Sequence, residues 1–126
     1  MSLPHGDYGK ELILDLYDCN AKFSKEKLQD YFDILCDKIK MEKESTYFWE
    51  YPGSALNTEA PLAHLKGISA IQFIKTSSIV VHTVDELQKI HINIFSCKDF
   101  DSEIATDFTI DYFAGKVNQK LVCRRI

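Results

Sequence analysis

The sequence has no long apolar run, no basic stripe and no paired cysteines. No stretch approaches the roughly 18 consecutive apolar residues of a membrane span, so no membrane-crossing helix is expected. The opening residues, MSLPHGDYGK, lack the charged-then-apolar pattern of an export signal. Lysines and arginines form no cluster beyond the Arg124-Arg125 doublet, and the net charge is −4, which argues against nucleic acid as a partner. The four cysteines, Cys19, Cys36, Cys97 and Cys123, are widely spaced and form no CxxC pair. They are expected to be reduced thiols in a cytoplasmic protein rather than a disulfide framework. Internal repeats and low-complexity segments are not evident.

What is present fits one soluble domain. The chain has 126 residues, 45% of them hydrophobic and 27% charged, which suffices for one core and not two. Leu12, Leu14 and Leu16 alternate with Ile13, Asp15 and Tyr17, the period of a strand. Ser24 is a candidate helix N-cap, with Glu26 in the first turn and Leu28, Tyr31, Phe32, Leu35, Cys36 and Ile39 at helical spacing after it. A helix is expected over about 24–41. Residues 46–51, β-branched and aromatic, predict a strand that stops at Pro52-Gly53. Residues 53–66 read as a loop, long enough to serve a function.

Strands are expected over 68–74, 79–84 and 89–97, with a turn at 75–78. In the third of these, Ile90, Ile92 and Ile94 face one way and His91, Asn93, Phe95 and Cys97 the other. Asp101 or Ser102 can cap a second helix, in which Ile104, Phe108 and Tyr112 recur every fourth residue and Gly115 provides the stop. A last strand covers 117–125. The order β-α-β-β-β-β-α-β predicts an α+β fold: a two-layer sandwich, with both helices on one face of a mostly antiparallel sheet.

The stretch from Gly67 to Cys97, GISAIQFIKTSSIVVHTVDELQKIHINIFSC, carries the chemistry. Ser77 alone reads as a turn residue, His82 as a hydrogen-bonded strand histidine and Cys97 as a small hydrophobe. On adjacent strands they can lie close together, and a hydroxyl, a base and a thiol are the parts of nucleophilic and proton-transfer chemistry. A hydrolase triad with Asp85 or Glu86 is one option, although there is no GxSxG elbow. A zinc site from His82, His91 and Cys97 is another, although no paired ligand motif supports it.

The same stretch resembles the small prokaryotic S-adenosylmethionine decarboxylases. That family carries a Gly-Val-Ser strand start, then Glu-Ser-His, a short apolar strand, His-Thr-Trp-Pro-Glu and a Phe-Thr-Cys strand end. Gly67-Ile68-Ser69, Ser77, His82-Thr83, Glu86 and Phe95-Ser96-Cys97 match in that order without a gap, and Gly9 to Cys19 resembles the family's first strand. The resemblance implies a self-processing proenzyme, cut between Thr76 and Ser77. Ser77 would attack the Thr76 carbonyl, and β-elimination would leave a pyruvoyl group in its place. It further implies that Ser69 and His82 assist processing, His82 as the base. The pyruvoyl group would hold the substrate amine as a Schiff base and act as electron sink, Cys97 would be the proton donor, and the cleaved protomers would pair as a homodimer. Glu86 would bind substrate. His64 stands near where the family places a ring that stacks on adenine. The resemblance implies no metal.

Thr76, Ser78 and Val84-Asp85 depart from the family's Glu, His and Trp-Pro. Three expectations follow: decarboxylation of S-adenosylmethionine for spermidine and polyamine synthesis, decarboxylation of another amino acid such as ornithine or arginine, or an unprocessed, non-catalytic binding or regulatory relative.

Overall fold

The computed structural model describes residues 7–51 and 66–126. Nearly all of the 53–66 loop, including His64, lies outside the described residues. The elements are β1 (Gly9–Tyr17), α1 (Lys25–Lys38), β2 (Lys43–Tyr51), β3 (Gly67–Ile74), β4 (Ser77–Val84), a single 3₁₀ turn (Asp85–Leu87), β5 (Lys89–Ser96), α2 (Ser102–Phe113) and β6 (Lys116–Arg125). The strands form one sheet in the order β2-β3-β4-β5-β1-β6, and every neighbouring pair is antiparallel. This is the expected two-layer α+β sandwich. No helix among the described residues is long and apolar enough to cross a membrane.

Strand alternation divides the sheet into two faces. On one, Leu12, Leu14 and Leu16 of β1 sit beside Ile90, Ile92 and Ile94 of β5, Ile79 and Val81 of β4, and Ile68, Ala70 and Ile74 of β3. All are buried under the two helices, which contribute Leu28, Tyr31, Phe32, Leu35 and Cys36 from α1 and Ala105 and Phe113 from α2. Full burial of each large side chain contributes about 1.5–3 kcal/mol, so this layer holds the fold together. Among the described residues, no element covers the other face. It carries Ser69, His82, His91, Asn93 and Asp15 at its centre.

The first helix starts where its sequence predicts and ends at Lys38, about three residues short of the expected 41. The Ser24 hydroxyl accepts the Lys27 amide at 3.0 Å, and Glu26 lies in the first turn. In α2 the Asp101 carboxylate accepts the Glu103 and Ile104 amides at 2.9 and 3.1 Å.

The rest of α2 differs from expectation. Its buried face is Ala105, Thr106, Thr109 and Phe113, while Ile104 is exposed. Every-fourth-residue spacing drifts around a 3.6-residue helix, and Phe108 and Tyr112 sit on the flank, with ring centroids 5.7 and 5.5 Å from that of Tyr31. The left-handed residue that ends α2 is Ala114 (φ 48°) rather than Gly115. Gly115 is small because an added Cβ would come within 2.8 Å of Cys19 Sγ.

Candidate active site

The β3–β4 hairpin reverses through two residues, Lys75 and Thr76, because β4 begins at Ser77, which pairs with Ile74. The expected four-residue turn is therefore half as long. Thr76 has φ 59°, a left-handed conformation that a β-branched residue rarely adopts. It lies directly before Ser77.

Cys97 follows the last residue of β5, the neighbouring strand, and thus lies beside the hairpin. Its amide donates to Ser77 Oγ at 3.2 Å, and its Sγ lies 2.6 Å from Thr76 Oγ1. Thr76 Oγ1 also bonds the Lys75 carbonyl oxygen at 2.6 Å. A cleft of about 430 Å³ opens here, lined by Met41, Glu42, Lys75, Thr76, Cys97 and Lys98.

A second cluster lies on the open face. Ser69 and His82 are cross-strand partners in β3 and β4, and Ser69 Oγ is 2.8 Å from His82 Nδ1. His82 stands opposite His91 in β5, and His91 opposite Asp15 in β1. The Nδ1 of His91 is 3.0 Å from Asp15 Oδ1. Four strands thus place serine, histidine, histidine and aspartate in one row. Sequence reasoning placed His91 on this face and missed its pairing with Asp15, because that contact depends on the register of two strands far apart in the chain.

The structure brings Ser77 and Cys97 together and keeps His82 apart from them. His82 is five residues beyond Ser77 on a continuous strand, a separation of about 16 Å at strand rise. The triad reading fails on the same geometry. Asp85 accepts from the Thr83 hydroxyl at 2.7 Å, and Glu86 faces Lys66 at 3.8 Å. Glu86 lines a separate cavity of about 700 Å³ with Lys66, Phe23 and Asn20, away from the Ser77 cleft. The zinc reading fails too: among the described residues no group of three His, Cys, Asp or Glu side chains could hold a metal ion.

All four cysteines are free. Cys19 and Cys36 are buried, and burial pushes both thiols up to about 11, with Asp18 adding to the effect at Cys19. Such thiols are inert packing groups. Cys97 is only half-buried and borders the cleft.

The protein is thus a two-layer α+β sandwich whose β3–β4 hairpin sets a serine hydroxyl against a cysteine amide at the sheet's end. The sequence profile described as S-adenosylmethionine decarboxylase matches residues 10–125, and this chain belongs to that family. The crystal structure of the adenosylmethionine decarboxylase from Aquifex aeolicus VF5 superposes with a TM-score of 0.73. The two share 18% identity, over 94% of this chain and 91% of that one, which establishes a shared fold. No curated protein matches the chain.

Proposed function

We propose that this chain is a self-processing, pyruvoyl-dependent decarboxylase acting on S-adenosylmethionine in spermidine and polyamine synthesis. The observation that carries the reading is the contact of Ser77 with Cys97 at a hairpin whose preceding residue, Thr76, is held at φ 59°. Left-handed backbone at a β-branched residue costs on the order of 1–3 kcal/mol, and opening the chain at this peptide would relieve it.

Ser77 Oγ attacks the Thr76 carbonyl carbon, and the acyl group moves from nitrogen to oxygen. The Cys97 amide holds that oxygen in place. Loss of the Ser77 α-proton then expels Thr76 as a carboxylate. Addition of water and loss of ammonia leave a pyruvoyl group at position 77. When present, that group supplies an electron sink for loss of carbon dioxide. Cys97, beside the cleft, serves as the acid that returns a proton to the substrate α-carbon. Ser69 holds the His82 ring by its Nδ1, leaving Nε2 free as the processing base. Glu86 and His64 are proposed for substrate binding from their sequence positions, Glu86 reaching the substrate from the partner copy because in its own chain it lies away from the Ser77 cleft.

The distance between the two clusters supports a homodimer. In such a homodimer Ser69 and His82 of one copy would complete the site of Ser77 and Cys97 of the other. The open face is suited to stacking. Tyr47 and Trp49 are 61% and 62% exposed, and Phe73 and Leu121 are exposed beside polar neighbours.

Intact mass under denaturing conditions, with and without a carbonyl reagent, tests the reading. The expected result is two fragments divided between Thr76 and Ser77, the second carrying a reactive carbonyl, and a single inert chain for Ser77→Ala. A wild-type chain that stays whole on long incubation would overturn the proposal and favour the non-catalytic relative. Cleaved protein that turns over ornithine or arginine and not S-adenosylmethionine would keep the chemistry and change the substrate.

A further inference from the structure

We infer that Gln72 is a positioning residue for self-cleavage: its buried side-chain amide fills a bulge between β2 and β3 and so holds the arm of the hairpin that ends at Thr76. The inference rests on the reading of this chain as self-processing, for which the uncut hairpin is the reacting state.

Gln72 is out of pattern. The inward residues of β3 are Ile68, Ala70, Gln72 and Ile74, and Gln72 is fully buried among them. A buried amide costs free energy unless its two N–H groups and its carbonyl find partners. The strand register supplies them. Lys43 pairs with Ile74 and Thr46 with Gln72, so Glu44 and Ser45 together stand opposite Phe73. Two residues against one is a β-bulge, which takes backbone groups out of the ladder. Gln72 Nε2 donates to the Glu44 carbonyl at 3.0 Å and to the Phe73 carbonyl at 2.9 Å, one on each strand. Its Oε1 accepts the Thr46 hydroxyl. The side chain thus replaces ladder bonds that the bulge removes, which an aliphatic residue could not do.

The bulge decides how β2 meets the hairpin. On its far side Lys43 pairs with Ile74, and the Glu42 carbonyl accepts the Lys75 amide at 3.2 Å. These contacts secure the β3 arm immediately before Thr76, so the two-residue reversal is completed by Thr76 at φ 59°. A second tie comes from α1. Asp33 Oδ1 accepts Gln29 Nε2 at 2.9 Å and Lys43 Nζ at 2.7 Å, and Gln29 Nε2 stands 3.5 Å from Gln72 Oε1. Helix, bulge and hairpin arm are therefore one connected polar set around Gln72.

Bulges re-aim chain segments beside reactive groups. With the arm fixed at Ile74 and Lys75, the left-handed backbone of Thr76 is over-determined by its surroundings and persists despite its cost. With the bulge unfilled, the start of β2 loses its hold, and Lys75 and Thr76 relax away from the geometry in which Ser77 Oγ attacks the Thr76 carbonyl. Gln72 lies four residues before Thr76 and acts through β2 rather than on the scissile peptide.

The test uses Gln72→Met, which keeps the length of the side chain and removes its amide, in the full chain. Self-cleavage is followed by intact mass. Hydrogen exchange of the Lys75 amide is read by NMR in a Ser77→Ala background, where the hairpin stays whole. Gln72→Met should slow self-cleavage about tenfold and speed Lys75 exchange about tenfold, the scale of one buried hydrogen bond lost, while the amides of β1 and β5 exchange as before. Thr46→Val, which removes the hydroxyl on Gln72 Oε1, is the milder variant should Gln72→Met not fold, and the same signs are expected. Lys75 exchange that stays unchanged, or that rises equally across the whole sheet, would overturn the inference. So would a variant with a released Lys75 amide that cleaves at the wild-type rate. A wild-type chain that never cleaves would remove the decarboxylase reading and the processing role together, and the exchange comparison would then decide by itself whether Gln72 holds the hairpin.

Discussion

Thr76, Ser77 and Cys97 form a contact set that depends on single side chains and one unusual backbone angle. The sequence placed a serine on a turn and a cysteine at a strand end on adjacent strands, and the structure joins them. It did not indicate that Thr76 would be left-handed, since a two-residue reversal is closed by the strand pairing on either side of it. Other cysteines illustrate the opposite environment. Cys19 and Cys36 sit in the core, and burial raises their thiols from the ordinary 9.0 to about 11. The native state thus holds these protons more tightly than the unfolded chain does. Their contribution to stability is complete below about pH 9 and is lost as the pH rises through about 11. Urea midpoints measured across that window should fall for the wild-type chain and fall less for Cys36→Ala. Identical pH dependence in the two proteins would show that Cys36 is not responsible.

At the scale of elements, the junction of β3, β4 and the 3₁₀ turn holds the open-face cluster in place. Gly67 packs so closely on β4 that an added Cβ would lie 1.8 Å from the Thr83 carbonyl oxygen. The Thr83 hydroxyl accepts the Ile68 amide at 2.8 Å and donates to Asp85 at 2.7 Å, while the Asp85 amide bonds the Lys66 carbonyl at 2.9 Å. Thr83 is one residue from His82, so these bonds set the register that gives His82 its Ser69 partner. Thr83→Val leaves the buried Ile68 amide without an acceptor and should cost about 1–3 kcal/mol in urea unfolding. A variant as stable as wild type would remove the junction from this role. Helix α1 was legible because its cap and its six-residue stripe agree in phase. Helix α2 was misread by about one position because aromatic residues on its flank mimic a buried stripe, while its true inner face includes Thr106 and Thr109. Their hydroxyls are satisfied within the helix by the Ser102 and Ala105 carbonyls at 2.7 Å each.

At the scale of the whole molecule, the helices cover one face of the sheet; among the described residues the other face, with the Ser69–His82 and His91–Asp15 pairs, is uncovered, and the Ser77–Cys97 cluster lies at the sheet's end. If each complete site draws on two copies, His82→Ala and Cys97→Ala should each be inactive alone and complement one another. Mixed dimers would contain one intact site, so random co-assembly should recover about a quarter of wild-type decarboxylation. Complete inactivity of the mixture, with mixed dimers demonstrated by mass, would exclude a shared site. By itself the sequence determined the elements, the inward leucine and isoleucine rows and the two-layer arrangement, because period and capping are local properties of the chain. It also carried the resemblance to the family whose profile matches residues 10–125. Only the tertiary structure decided which of those residues meet. Ser77 joins Cys97, Ser69 joins His82 and Asp15 joins His91, because those contacts follow from strand order and register, and a strand rise of about 3.3 Å per residue separates side chains that look close in sequence.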